Sequence, residues 1–249
     1  MNKRQPLITY IEKDIDKLSE AQVDKLIQVA ERTYGPIEMV ICCAAISKPT
    51  LLIHSNYMQF NHHIGLNFLC VLKMVLPIAK KMVLQNIHGR IVIVGDPLTS
   101  HYNVPGMSPY ACSKAALEQV AYNLKTELEP HDIKVHYFLP PPMESNLFAG
   151  QKKNFPLITK CLMKNNTPVT SEYAAQVLLR GISMGQFVIP GTYTAALMHS
   201  IRGSHHNYVT QLLLAPFALA LRQFDDRRSR QAALQQKTTV KKETKITSS

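Results

Sequence analysis

The stretch GMSPYACSKAALEQ, residues 106–119, sets Tyr110 four residues ahead of Lys114. Four residues is about one helical turn, so in a helix both side chains lie on one face. Such a pair can protonate a carbonyl oxygen that becomes an alkoxide as hydride reaches its carbon. A free phenol, with a pKa of about 10, is a poor acid near neutrality, and a neighbouring ammonium favours the tyrosinate and lowers that value. The spacing alone leaves a plainer reading open: a surface helix that begins beside Pro109 and carries a tyrosine at its mouth and a solvated lysine. The neighbouring elements have to decide between the two.

Those neighbours read as strands alternating with helices. Residues 19–34 carry Val23, Leu26, Ile27 and Ala30 at helical spacing, and Gly35-Pro36 stops them. IEMVICCAA is a continuous apolar run, as in a strand buried on both faces of a parallel sheet. A helix is expected over residues 55–85, interrupted near Pro77, and then a strand at GRIVIVGD. SPYACSKAALEQVAYNLKTEL reads as a long helix, IKVHYFLPPP as a strand ending in prolines, TSEYAAQVLLRGIS as a helix and GQFVIPG as a short last strand. A further strand is expected at residues 7–11. The alternation predicts an α/β fold with a doubly wound parallel sheet. Ligands of such sheets bind beyond the carboxyl ends of the strands, where CCAA, GDPLTS and LPPPMES fall.

A chain of 249 residues, 46% of them hydrophobic, suits one large domain. Residues 1–195 are expected to form it, with a substrate cap and membrane-associated segment at 196–230 and a disordered polar tail at 231–249. The five cysteines, Cys42, Cys43, Cys70, Cys112 and Cys161, form no C-x-x-C pair, so neither a disulfide framework nor a zinc site is indicated. His62-His63 and His205-His206 are adjacent pairs, not a ligand spacing, and no metal is expected. No apolar run precedes a small-residue cleavage site in MNKRQPLITYIEKDIDK, so no secretory signal is read there.

The net charge of +11 gathers toward the end of the chain, at Arg222, Arg227, Arg228, Arg230, Lys237, Lys241, Lys242 and Lys245. No aromatic follows Phe224 to stack on bases, which argues against nucleic acid as a partner. Residues 212–221 are apolar but fall short of the roughly 20 residues of a span, and Pro216 interrupts them. They read either as an interfacial anchor on an anionic membrane surface or as a core helix with a solvated basic end.

Taken together these motifs resemble the short-chain dehydrogenase/reductase family over about residues 8–150. Tyr110-Ala-Cys-Ser-Lys114 matches its Tyr-x-x-x-Lys, and CCAA its strand ending in Asn-Asn-Ala-Gly. GLNFLC places Asn67 where the family keeps a helix-breaking asparagine that anchors a relay water, and LPPPMES resembles its Pro-Gly turn over the nicotinamide. The resemblance implies a Rossmann-like fold and an NADPH-dependent oxidoreductase. It implies Tyr110, Lys114 and Asn67 as catalytic residues. Around the cofactor it implies Asp14 at the adenine, Ala44 at the strand end, Lys114 on the ribose, and Pro140, Pro141 and Ser145 at the turn.

GPIEMVICCAA, FLPPPMESNLFAGQKK and the tail LLLAPFALALRQFDDRRSRQ are similar to family members that reduce the ketone of long-chain keto bases in sphingolipid synthesis. That branch implies a lipid substrate, the cytosolic face of the endoplasmic reticulum membrane and, from the family, a homodimer. A retinoid or steroid dehydrogenase is the alternative within the enzyme class. Two departures support a third reading, a catalytically inactive membrane-associated scaffold. The sequence has no Gly-x-x-x-Gly-x-Gly turn to cradle cofactor phosphates, so a fold lacking its first two strands is expected, with the edge of MVICCA left bare. Gly95-Asp96 stands where the family has Ser-Ser, so the missing donor would have to be Thr99, Ser100 or an Asp96 kept protonated by burial.

Overall fold

The computed structural model describes residues 9–97, 104–164 and 167–203. Helix α1 (Glu20–Tyr34) starts from a reciprocal cap. The Ser19 hydroxyl accepts the Gln22 N–H, and the Gln22 side chain accepts the Ser19 N–H. It ends at Gly35, whose φ of 89° is open to glycine at little cost.

Four strands, β1 (Met39–Cys42), β2 (Arg90–Val94), β3 (Lys134–Leu139) and β4 (Val188–Pro190), form one parallel sheet among the described residues, in the order β1-β2-β3-β4. The register sets Cys42 beside Ile93, Val94 beside Phe138 and Leu139 beside Pro190. Every strand therefore releases its chain on the same edge, which gathers the segments after Cys42, Val94 and Leu139 in one place.

Side chains alternate across the sheet and bury both faces. Ile91, Ile93, Val135, Tyr137 and Leu139 face Val71, Val75, Ile78, Ala79 and Met82 of α3 (Cys70–Leu84), and Leu117, Ala121 and Leu124 of α4 (Ser108–Leu128). On the opposite face Val92, Phe138 and Ile189 meet Leu178 and Ile182 of α7 (Ser171–Ser183). Helices on both faces make the sheet doubly wound, as expected. Strand β1 lies at the edge of this sheet, and Met39 and Ile41 remain 37% and 42% exposed there.

Several expectations need correction. Thr9, Tyr10 and Ile11 are not in a strand, and Tyr10 is exposed. A strand gains its free energy from pairing, and among the described residues no strand pairs with these. The helix over residues 55–85 passes through Pro77 without stopping. Its irregular stretch lies earlier, where a π turn at Gly65–Leu69 joins α2 (Tyr57–Ile64) to α3. Val71 and Val75 before Pro77, and Ile78 and Met82 after it, all enter the core, and that packing outweighs one lost backbone bond. Three helices had no sequence reading: α5 (Asn146–Asn154), α6 (Leu157–Leu162) and α8 (Tyr193–Gly203). Helix α8 runs across the expected division at 195–196 and is held to α4 by a 2.9 Å bond between Tyr122 Oη and His199 Nε2. The tail calls, from residue 204 onward, lie outside the described residues; within them no helix is long and apolar enough to cross a membrane.

Helix α4 reaches the core through Leu117, which is 1% exposed. Leu117→Ala should cost about 2–5 kcal/mol, the usual range for such a cavity. Urea unfolding checks this, and a loss under about 1 kcal/mol would mean that α4 is not anchored at this point.

Candidate active site

Helix α4 begins where the segments leaving β1 and β2 converge. Pro109, the second residue of the helix, needs no N–H partner there, and the next residue that turns inward is Tyr110. Tyr110 and Lys114 both point into the protein, 5% and 3% exposed, with the ammonium 6.0 Å from the centre of the phenol ring. A solvated lysine on a surface helix is thereby excluded.

Their bonds differ from those the spacing suggested. Tyr110 Oη donates to Asp96 Oδ2 at 2.8 Å, and Lys114 Nζ donates to the Val94 carbonyl at 2.7 Å. Burial first, and then the Asp96 carboxylate, push the Tyr110 phenol well above its ordinary value. The expectation that Lys114 lowers it is therefore reversed here: Tyr110 is held in its protonated form. Burial pulls Lys114 itself down to about 8, opposed by Asp96, Cys43 and Cys42, so near pH 7 it remains a cation. Cys42 is pushed up to about 12 and Cys43 also upward, both chiefly by desolvation, so both are neutral thiols at the end of β1.

Asn67 lies in the π turn and is completely buried. Its amide works as a clamp. Oδ1 accepts the Ile46 N–H at 2.7 Å, and Nδ2 donates to the Ile46 carbonyl and to Ser113 Oγ, both at 2.9 Å. Ser113 in turn donates to the Tyr110 carbonyl at 2.7 Å, so one side chain ties the loop after β1 to the first turn of α4. His63 fastens the same loop. Its Nε2 accepts the Lys48 N–H at 3.1 Å, its Nδ1 donates to the Gln59 carbonyl, and burial lowers its pKa, which keeps it neutral. The sequence marked His63 only as half of an adjacent pair and left Ser113 unmentioned. Among the described residues no cluster of His, Cys, Asp or Glu could hold a metal.

The remaining expected residues are more scattered. Ala44 is exposed just past β1. Pro140 and Pro141 follow β3, with Pro141 packed so close to Gly191 that a Cβ there would fall 2.3 Å from its ring. Ser145 caps α5 by accepting the Phe148 N–H at 3.1 Å. Asp14 is solvent-exposed and pairs with Lys17 at 3.1 Å, so its partners are its own neighbours. Thr99 and Ser100 lie outside the described residues.

A family model described as short chain dehydrogenase matches residues 1–155, more than half of the chain. The chain belongs to the short-chain dehydrogenase family. It is 26% identical over 167 residues to 3-dehydrosphinganine reductase of Danio rerio, covering 67% of this chain and 50% of that one. It is also 26% identical over 152 residues to a 3-ketodihydrosphingosine reductase of Cryptococcus neoformans, covering 61% of this chain and 45% of the relative. The chain thus spans about half the length of these curated relatives. Among solved structures, a short-chain dehydrogenase from Streptomyces avermitilis superposes with a TM-score of 0.65 at 17% identity, covering 86% of this chain and 80% of that one. Another, from Burkholderia cenocepacia in complex with NADP, gives 0.63 at 18% identity, covering 87% and 83%. At such identities the likeness concerns the fold.

Within the family pattern, Gly95-Asp96 in place of Ser-Ser has a local cause. The ring of Tyr137 fills the space over Gly95, and a Cβ at that position would lie 2.3 Å from its Cζ and Oη. Only glycine fits between β2 and this ring. The next residue, Asp96, then puts its carboxylate on the phenol. Gly95→Ala should destabilise the protein by about 1–3 kcal/mol, a usual cost of overpacking; an unchanged urea midpoint would show that the Tyr137 ring yields freely.

Lys114 makes stability depend on pH. Its folded-state pKa is depressed from 10.5 to about 8, so between those values the unfolded chain holds the proton and the folded chain does not. Stability therefore rises with pH from about 8 towards 10 and gains nothing from this group below 8. Lys114→Met should remove that rise in urea unfolding measured from pH 7 to 10. A slope unchanged by the substitution would assign the titration to another group.

Proposed function

We propose that the protein reduces the ketone of a long-chain 3-keto amino base of the 3-ketodihydrosphingosine type, with NADPH as the donor. The observation that carries this reading is the protonated Tyr110 phenol, buried beside the Lys114 ammonium at the carboxyl edge of the sheet. The names of the curated relatives point to the same substrate.

The residues at this edge suit the nicotinamide and ribose end of such a cofactor. They offer an exposed strand end at Cys43-Ala44, a buried amine at Lys114 and the proline turn after β3. The phosphate end finds no glycine-rich turn within these 249 residues. A bound nicotinamide cofactor supplies the hydride. Tyr110 Oη, which burial and Asp96 keep protonated but make a weaker acid, supplies the proton to the ketone oxygen as that oxygen becomes a strongly basic alkoxide. Lys114 holds the ribose and offsets the charge that the phenol leaves behind. Asn67 fixes the mouth of α4 through Ser113, and its place in the π turn suits the support of a relay water. Asp14, an exposed carboxylate, is assigned to the adenine end, and Pro140, Pro141 and Ser145 to the turn over the nicotinamide.

The apolar residues 212–221 and the arginines after them favour attachment to the cytosolic face of the endoplasmic reticulum membrane, where a lipid substrate is dissolved. A homodimer through the helices that bear Asn67 and Tyr110 accords with this reading. The bond between Tyr110 and Asp96 also favours a second reading, an inactive scaffold whose acid is permanently occupied.

One assay separates the two. The full chain in detergent, supplied with 3-ketodihydrosphingosine and millimolar NADPH, should form dihydrosphingosine, detected by mass. Tyr110→Phe should lower kcat/KM by at least about 100-fold, as expected for loss of a general acid. Turnover that survives Tyr110→Phe would remove the assigned acid, and no turnover by the unaltered chain would establish the scaffold.

A further inference from the structure

Helices α5 and α6 pack on the approach to α4, and their inner and outer faces differ in kind. Phe155, in the link between the two helices, is buried against Met107 and Tyr110. The Thr159 hydroxyl donates to the Pro105 carbonyl. A Cβ at Gly106 would come within 2.8 Å of Thr159 Oγ1 and 2.9 Å of the Pro156 ring, so α6 sits tightly on the turn that leads to Tyr110.

The outer face is cationic. Lys152, Lys153, Lys160 and Lys164 are all exposed, and no aspartate or glutamate occurs between Glu144 and Glu172. None of the four forms an ion pair with a described residue, whereas Lys17 pairs with Asp14 and Lys81 with Glu31. Leu157 is 41% exposed among these cations, and Lys160, about one turn on, shares its side of α6.

Cations around an exposed apolar side chain match the headgroup layer of an anionic bilayer. The ammonium groups meet the anionic headgroups while the lysine stems and a leucine reach the acyl boundary. A nucleic acid would call for aromatics on which bases stack, yet Phe148 and Phe155, the only aromatics from 145 to 171, are not exposed. A small soluble anion would leave Leu157 in water.

We infer that the outer face of α5 and α6 is a docking surface for an anionic membrane. The observations behind it are independent of the apolar run at 212–221. Docking in this way sets the mouth of α4 against the bilayer. A lipid ketone would then pass from the acyl boundary by Phe155 to Tyr110, a consequence that rests on the proposed reductase reading, as the docking itself does not.

The chain has no tryptophan, so Leu157→Trp puts a single fluorescent reporter on this face. The full chain carrying it, with a urea midpoint as a check on folding, would be titrated with vesicles of phosphatidylcholine alone and with about a third phosphatidylserine. The anionic vesicles should shift its emission to the blue, and brominated lipid should quench it. Leu84→Trp, an exposed position at the end of α3, should not respond. Adding Lys152→Glu, Lys153→Glu and Lys160→Glu together should raise the lipid needed for the shift at least about tenfold. Glutamine at the same three positions replaces them if the glutamate form does not fold. No shift with anionic vesicles overturns the inference, and sedimentation with them would then belong to another segment. An equal shift with neutral vesicles, one shared by the Leu84→Trp form, or one that survives in the folded lysine variants overturns it as well. The reductase reading is untouched by each of these outcomes, because the turnover assay decides it separately.

Discussion

Burying the amine of Lys114 costs free energy that is offset by a bond to the carbonyl of Val94, the last residue of β2, and by the Asp96 carboxylate. The bond is possible only because β2 ends there while α4 passes across the same edge, and the parallel register of the sheet sets both. From it the rest of the site follows. Tyr110, one turn earlier on the same face, is drawn inside beside Lys114, and the turn after Val94 brings Asp96 to its hydroxyl. A lysine that stayed in solvent would leave the phenol at the surface as well.

The loop after β1 flanks this site and is held by polar side chains. Asn67 uses both donors and its acceptor on Ile46 and Ser113, and His63 bridges Lys48 and Gln59. Such groups are costly if left unpaired in the interior, so once satisfied they fix a single arrangement of the loop. The Thr50 N–H adds a bond to the Gly106 carbonyl at 2.8 Å, tying the loop to the approach to α4 as well. The π turn presents Asn67 inward, because its wider turn rotates the side chain relative to a regular helix.

Gly95 and Asp96 show how packing on one side of a strand determines chemistry on the other. The buried ring of Tyr137 on β3 leaves room only for glycine at 95. The residue after it, Asp96, then meets the phenol with a carboxylate oxygen. At the mouth of the helix a carboxylate oxygen accepts from the Tyr110 hydroxyl and, with burial, holds Tyr110 protonated.

The sequence by itself determined the four strands of the sheet and their order, and the long helices between them. The apolar run at residues 91–94 and the largely apolar one at 135–139 are satisfied inside a sheet covered on both faces, whereas 39–42 reads the same way yet forms a partly exposed edge strand, and the long helix from Ser108 to Leu128 was legible to within a residue. The spacing of Tyr110 and Lys114 also gave their common face. Neither the break at Gly65–Leu69 in place of Pro77 nor the direction of the Tyr110 shift was legible. Local propensity weighs a proline against its own helix, whereas the break was decided by core packing on both sides of Pro77 and by the polar partners of Asn67. Asp96 reads from the sequence as a missing serine. Only the tertiary structure shows it in contact with Tyr110, because that contact depends on the Tyr137 ring, which reaches Gly95 from a different strand.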